Sequence, residues 1–261
     1  MNAGPLAQRS AVVTGGGRGI GAAVARALAG AGARLVIAAR TQTEVERVAN
    51  ELSSTGARAF AYAGDLTQEA NVRALGGFAR EQIGAVDILV NNAGGSSSAP
   101  LHRVTVEEWN RVWAMNATST FLCTREFAPP MVARGMGRIV SVASIAGLEG
   151  ARYVSAYCAA KHAVVGFTRA LAVELAGSGV TANAVCPAYV DTPMMARAID
   201  NVRARTGKSA KDALAAVLAT TGQDRLIAPE EVASAVLELC LEAASQTTGV
   251  AIVMRPAGSP R

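Results

Sequence analysis

Eight residues near the amino terminus constrain this chain more than any others. Thr14-Gly15-Gly16-Gly17-Arg18-Gly19-Ile20-Gly21 separates a short apolar run, Ser10–Val13, from an alanine-rich helical stretch, Ile20–Ala29. Glycines permit a tight turn and let backbone N–H groups approach a diphosphate, while the helix N-terminus adds a dipole that favours the anion. A glycine-rich turn alone is common and weak. Its place at the first strand–helix junction of an alternating chain gives it weight.

That alternation continues to the end of the chain. After Ser10–Val13, strand-like runs lie at Leu35–Ala38, Ala57–Ala63, Asp87–Val90, Gly137–Val142, Val180–Val185 and Val250–Met254. Most are continuous Val/Ile runs, the pattern of strands covered on both faces. Between them lie helical stretches at Thr43–Leu52, Gln68–Gln82, Val106–Ala133 and Ala156–Leu175, with a last helix, Glu230–Leu241, opened by Pro229. Pro129-Pro130 is expected to kink or break the long Val106–Ala133 stretch near its end. Strand–helix–strand alternation requires right-handed crossovers and a parallel sheet. The expected fold is therefore α/β: one Rossmann-type, doubly wound, seven-stranded parallel sheet with helices on both faces, a single domain over residues 1–261. Residues 194–221 are polar and helical in propensity, add no strand, and read as a lid over a site.

Composition excludes several functions. The formal charge is +5, but the 25 Lys and Arg residues are scattered, with no basic run interleaved with aromatics. No nucleic-acid role follows. Cys123, Cys158, Cys186 and Cys240 are far apart with no CxxC spacing, as expected of buried, reduced thiols. No cluster has metal-ligand spacing, so no metal is expected. The amino terminus carries no signal pattern and no apolar run approaches a membrane span, so a cytoplasmic location without a membrane partner is expected.

The spacing Thr-Gly-x-x-x-Gly-x-Gly is the first of several ordered motifs. Asn91-Asn92-Ala93-Gly94 follows the fourth strand, Asn116 lies in a helix, and Ser144 follows the fifth strand. Tyr157-x-x-x-Lys161 comes next, then Pro187-Ala188-Tyr189-Val190-Asp191-Thr192-Pro193-Met194 after the sixth strand. In this order and spacing the chain resembles the short-chain dehydrogenase/reductase family over roughly residues 8–254. The Asn183–Pro187 run and the lid length look most like ketoreductases of 3-oxoacyl or polyketide thioesters. The resemblance implies a nicotinamide cofactor held by Gly15, Arg18, Gly19, Ile20 and Gly21. Asp65 and Leu66 would flank the adenine, and Asn92, Ala93 and Gly94 would pass beneath the adenosine ribose. Pro187, Val190 and Thr192 would meet the nicotinamide end. The lysine matching Lys161 also touches the nicotinamide ribose, and the asparagine matching Asn116 holds a water that relays protons from it.

The second run ends Ala38-Ala39-Arg40-Thr41, without the acidic residue that holds a ribose 2′-OH in NAD-preferring sites. Arg40 suits a 2′-phosphate and Arg18 can assist, which favours NADP(H), with NAD(H) as the alternative.

Tyr157 and Lys161 are four residues apart, one turn on one helix face. Ionising an ordinary tyrosine at pH 7 costs ~4 kcal/mol. An ammonium and the positive ring of an oxidised nicotinamide both favour the phenolate, so this pair can exchange a proton with an alcohol or ketone. Ser144 can hydrogen-bond the substrate oxygen. The expected catalytic set is Asn116, Ser144, Tyr157 and Lys161. His102 and His162 have no partner pattern and no assigned role.

The expected reaction is hydride transfer between the cofactor and a carbonyl or secondary alcohol, with reduction of a 3-oxoacyl thioester foremost. The alternatives are another small alcohol or ketone (a sugar, sterol or aromatic diol), or a catalytically silent cofactor-binding subunit. Gly95–Pro100 and Gly147–Val154 should border the substrate pocket. The lid carries five basic and two acidic residues, suited to the phosphates of a coenzyme A or acyl-carrier thioester. Apolar residues on more than one face of Val106–Ala133 and Ala156–Leu175 suggest association; the resemblance implies a homodimer or homotetramer. The run Val253-Met254-Arg255-Pro256-Ala257-Gly258 departs from the Val-Asp-Gly-Gly turn of many relatives.

Overall fold

In the computed structural model, which describes residues 4–256, seven apolar runs pair as parallel strands. They are β1 (Ser10–Thr14), β2 (Arg34–Ala39), β3 (Ala59–Ala63), β4 (Ile88–Asn91), β5 (Gly137–Val142), β6 (Val180–Pro187) and β7 (Ala251–Met254). The sheet order is β3-β2-β1-β4-β5-β6-β7, with every neighbouring pair parallel. The chain thus winds outward in both directions from the β1–β4 junction. There the connections diverge and leave a crevice at the carboxyl ends of the strands.

The helices are α1 (Gly19–Gly30), α2 (Gln42–Ser54), α3 (Glu69–Ile83), α4 (Val106–Trp113), α5 (Ser119–Ala133), α6 (Ser155–Glu174), α7 (Pro193–Thr206), α8 (Ala210–Ala219) and α9 (Pro229–Cys240). Strand residues alternate between two cores. Ala11, Val13, Leu35 and Ile37 pack with Val24 and Leu28 of α1, Val48 of α2 and Val236 of α9. Val12, Val36 and Leu89 face the other way, against Leu75 of α3, Phe127 of α5 and Leu171 of α6. Because both sheet faces are covered, the strands read as continuous apolar runs.

The expected Val106–Ala133 helix is interrupted, but not at its prolines. Residues Ala114–Thr118 form a π-helical segment between α4 and α5. Ser119 and Thr120 fill that turn, donating their hydroxyls to the carbonyls of Met115 and Asn116 at 2.7 Å each. Pro129 and Pro130 instead lie inside α5, which runs on to Ala133. Both are exposed, and the carbonyls they leave without a helical partner belong to Arg125 and Glu126, which are exposed and half-exposed, within reach of water. The third strand is shorter than expected and begins at Ala59.

Residues 194–221 form no strand, as expected. Gly207 closes α7 in the left-handed conformation (φ 68°), and Ser209 caps α8 by accepting the Asp212 N–H at 3.2 Å. Among the described residues, no helix is long and apolar enough to cross a membrane, and no group of three or more His, Cys, Asp or Glu is placed to hold a metal ion.

Candidate active site

The glycine loop is built around Thr14, a residue to which the sequence assigned no role. Its buried hydroxyl accepts the backbone N–H groups of Asn92 and Ala93, each at 3.0 Å, and donates to the Val90 carbonyl at 3.2 Å. Asn92 completes the link: its amide donates to the carbonyls of Thr14 at 3.0 Å and Gly15 at 3.1 Å. The Asn-Asn-Ala-Gly turn after β4 and the glycine loop after β1 are therefore one structure. Gly15 has φ 64°, and a methyl group there would lie 2.9 Å from the Ala93 Cα. A Cβ on Gly21 would collide with the Gly15 carbonyl and the Asn92 amide. These positions need glycine for close backbone approach as well as for conformation. Ile20 is half-buried in the first turn of α1.

Thr192 caps α7, accepting the Met195 N–H at 3.3 Å, and a methyl group on Gly19 would touch its Cγ2 at 3.3 Å. The start of α7 thus faces the glycine loop across the crevice. Val190 is held by a bridge to Ile227, and Pro187 ends β6 opposite Met254. At the other end, Leu66 is buried and Asp65 caps its own turn, its carboxylate accepting the Thr67 N–H at 3.1 Å. Arg40 is exposed at the end of β2. Arg18 is ion-paired with Glu44 of α2 at 3.0 Å. Nothing in the linear sequence marks that partner, nor Arg47, which donates to the Gly17 carbonyl at 2.9 Å.

Ser144, Tyr157, Lys161 and Asn116 come together beside this crevice. Ser144 caps the turn after β5, its hydroxyl accepting the Ala146 N–H at 3.1 Å. Tyr157 packs against Val112 and Ala160. Burial pushes its phenol up to about 12, against a hydrogen bond from Ser144 that pulls it down. Lys161 is only 5 % exposed and donates to the Val142 carbonyl at 2.8 Å; burial lowers its ammonium to about 8. Asn116, 1 % exposed in the π-helical segment, donates to the carbonyls of Gly95 and Val112 at 2.8 Å each. A methyl group on Gly94 would lie 2.6 Å from Asn116 Oδ1 and 3.6 Å from Lys161 Nζ, so backbone, amide and ammonium converge there. His102 and His162 are exposed outside this cluster.

The expected rim segments also meet. Ala99 donates its N–H to the Tyr153 carbonyl at 2.8 Å, and Tyr153 adopts φ 66°, a conformation unusual for a side-chain-bearing residue. Arg205 of α7 reaches the Ser98 carbonyl at 3.4 Å. Gln223, buried, grips the Tyr189 backbone from both sides at 2.8 and 3.1 Å. Arg255 pairs with Glu149 at 2.6 Å and donates to the Thr221 carbonyl at 3.2 Å. The divergent carboxyl-terminal run is thus a brace between two rim segments; its Ala257 and Gly258 lie outside the described residues.

Known proteins are similar to this chain. Residues 9–203 match the family model described as short chain dehydrogenase. A ketoacyl reductase ascribed to the granaticin polyketide synthase of Streptomyces violaceoruber is 37 % identical over 251 residues, covering 95 % of this chain and 92 % of that protein. Cis-4-hydroxycyclohexanecarboxylate dehydrogenase of Sinomonas cyclohexanicum is 41 % identical over 250 residues, covering 95 % and 96 %. The crystal structure of a point variant of actinorhodin polyketide ketoreductase with NADPH superposes with a TM-score of 0.93 at 34 % identity, covering both chains in full. In this chain a glycine loop locked to the turn after β4, and a serine, tyrosine and lysine gathered at the carboxyl ends of β5 and β6, are carried on a fold that superposes on that ketoreductase. The chain belongs to the short-chain dehydrogenase family, oxidoreductases that act on CH–OH groups and the corresponding ketones.

Proposed function

We propose that this protein is an NADP(H)-dependent ketoreductase whose foremost substrate is a 3-oxoacyl thioester. The observation that carries the chemistry is the placement of Tyr157, with Ser144 at its hydroxyl and Lys161 one turn behind, beside a glycine cradle a Cβ would fill. The cradle fits a dinucleotide: Gly15, Gly19, Ile20 and Gly21 would receive the diphosphate at the start of α1. Asp65 and Leu66 border the adenine, and Asn92, Ala93 and Gly94 run under its ribose. Pro187, Val190 and Thr192 would border the nicotinamide, and Arg40 would meet a 2′-phosphate, with Arg18 assisting once freed from Glu44. NAD(H) is the alternative cofactor.

A nicotinamide cofactor held there would supply a hydride for the carbonyl carbon. Tyr157 then gives its proton to the substrate oxygen, which Ser144 steadies by a hydrogen bond. The Lys161 ammonium stabilises the phenolate left behind, and Asn116 keeps Lys161 in line with a path for the replacing proton. Residues 194–221 act as the lid of one catalytic domain, with Arg203 and Arg205 as a handle for the phosphates of a coenzyme A or acyl-carrier thioester. Likeness to two polyketide ketoreductases over the whole chain supports the thioester. Exposed Trp109, Trp113 and Phe121 on α4 and α5 support self-association as a dimer or tetramer.

Likeness at 41 % identity to a hydroxycyclohexanecarboxylate dehydrogenase supports a second reading, a small cyclic alcohol or ketone as substrate. Turnover of acetoacetyl-coenzyme A and of cyclic ketones, with charge reversal at Arg203 and Arg205, separates the two. The thioester reading expects KM for the coenzyme A ester to rise about tenfold on charge reversal with small ketones unaffected. Efficient turnover of cyclic ketones only, insensitive to both arginines, contradicts it.

A further inference from the structure

The end of β2 offers no carboxylate to the adenosine corner, but α2 delivers one. Glu44 stands in the first turn of α2, so close to the glycine loop that a methyl group on Gly17 would lie 2.8 Å from the Glu44 Cβ. Its Oε1 accepts from Arg18 Nη1 at 3.0 Å. One turn on, Arg47 donates to the Gly17 carbonyl at 2.9 Å and is tied to Glu51 at 3.8 Å. Arg40 makes no hydrogen bond or ion pair among the described residues. The corner therefore holds one guanidinium facing solvent, one clamped on the loop backbone, and one, Arg18, shared with a carboxylate.

Resting on the NADP(H) reading above, we infer that Glu44 is a positioning residue that sets cofactor discrimination: it holds Arg18 away from a 2′-phosphate. A phosphate monoester carries about −1.5 to −2 charge at neutral pH and competes with the Glu44 carboxylate for the same Arg18 N–H donors. The ion pair is half-exposed, with side chains 45 % and 29 % accessible, and pairs of this kind are weak. Glu44 therefore tempers the preference for NADPH without abolishing it. A bare 2′-hydroxyl carries no charge and is indifferent to the exchange.

The test is Glu44→Gln, titrated with NADPH, NADH and adenosine 2′,5′-bisphosphate by protein fluorescence. The expected result is a Kd for NADPH and for the bisphosphate lower by about three- to fivefold, within the range open to breaking one half-exposed ion pair. The Kd for NADH should stay within about twofold. In Arg18→Gln/Glu44→Gln the gain should vanish, because Glu44 acts through Arg18. Unchanged or weaker NADPH binding overturns the inference, as does an equal change for NADH or a gain that survives loss of Arg18. A wild-type protein that prefers NADH contradicts the NADP(H) reading alone, since the shift in the ratio of the two affinities is read independently. Failure of the wild type to bind either dinucleotide overturns both.

Discussion

The Lys161 ammonium nitrogen lies 5.7 Å from the centre of the Tyr157 ring, on the same face of α6. Burial disfavours the charged form of both groups, raising the phenol and lowering the ammonium. At neutral pH the phenol keeps its proton beside a lysine that is still charged. A positive nicotinamide ring shifts the balance toward the phenolate, which couples proton release to the oxidised cofactor.

The lysine shift has a measurable sign. Its folded-state value, about 8, lies below the ordinary lysine value, so between about pH 8 and 10 the unfolded chain holds more protons on this group than the folded one. Stability from this group therefore rises with pH across that window. The difference in urea midpoint between wild type and Lys161→Met should shift in favour of wild type from pH 8 to pH 10. A difference that does not change with pH means that Lys161 titrates normally.

Thr14 should be indispensable to the glycine loop. Thr14→Val keeps the shape but strands the N–H groups of Asn92 and Ala93, at ~1–3 kcal/mol for each buried donor left unmet. The expected outcome is a lower urea midpoint and at least about tenfold weaker NADPH binding, with Thr14→Ser close to wild type. Equal affinity in Thr14→Val and wild type contradicts a shared scaffold for the loop and the turn after β4.

Gly15→Ala tests the cradle itself. The residue sits at φ 64°, and its new methyl group would meet the Ala93 Cα at 2.9 Å. A left-handed conformation costs a non-glycine residue ~1–2 kcal/mol before any clash. Calorimetry should find cofactor affinity lost by about a hundredfold or more while the circular dichroism spectrum is retained. Normal affinity means that the dinucleotide does not lie against this loop.

Most of this fold was legible because its determinants are local. Continuous Val/Ile runs such as Val12-Val13 and Leu35-Val36-Ile37 announce strands covered on both faces, and the ordered motifs mark where the crevice must open. What escaped depends on contacts distant in sequence. Glu44 and Arg47 look like ordinary surface charges of an amphipathic helix until α2 docks on the loop 26 and 30 residues earlier. The π-helical segment carries no local signature, and it is the turn that places Asn116. Pro129 and Pro130 do not break α5, because the carbonyls that lose their helical partners belong to the solvent-accessible Arg125 and Glu126.

Arg255 is another distant example, reaching Glu149 across 106 residues. With the arginine side chain 15 % exposed and the glutamate 59 %, loss of the pair should cost about 1 kcal/mol. Arg255→Ala should speed hydrogen exchange in residues 209–223, with a smaller effect for Arg255→Lys. Unaltered exchange there means that the carboxyl-terminal run does not brace the lid.

The central claim is that Tyr157 is the proton donor in a hydride-transfer reaction. Its most direct test is NADPH consumption with acetoacetyl-coenzyme A by wild type and Tyr157→Phe, with NADPH affinity measured for both. The account predicts turnover by the wild type, loss of at least about a thousandfold in kcat for Tyr157→Phe, and NADPH affinity within about threefold of wild type. Turnover retained by Tyr157→Phe would contradict it.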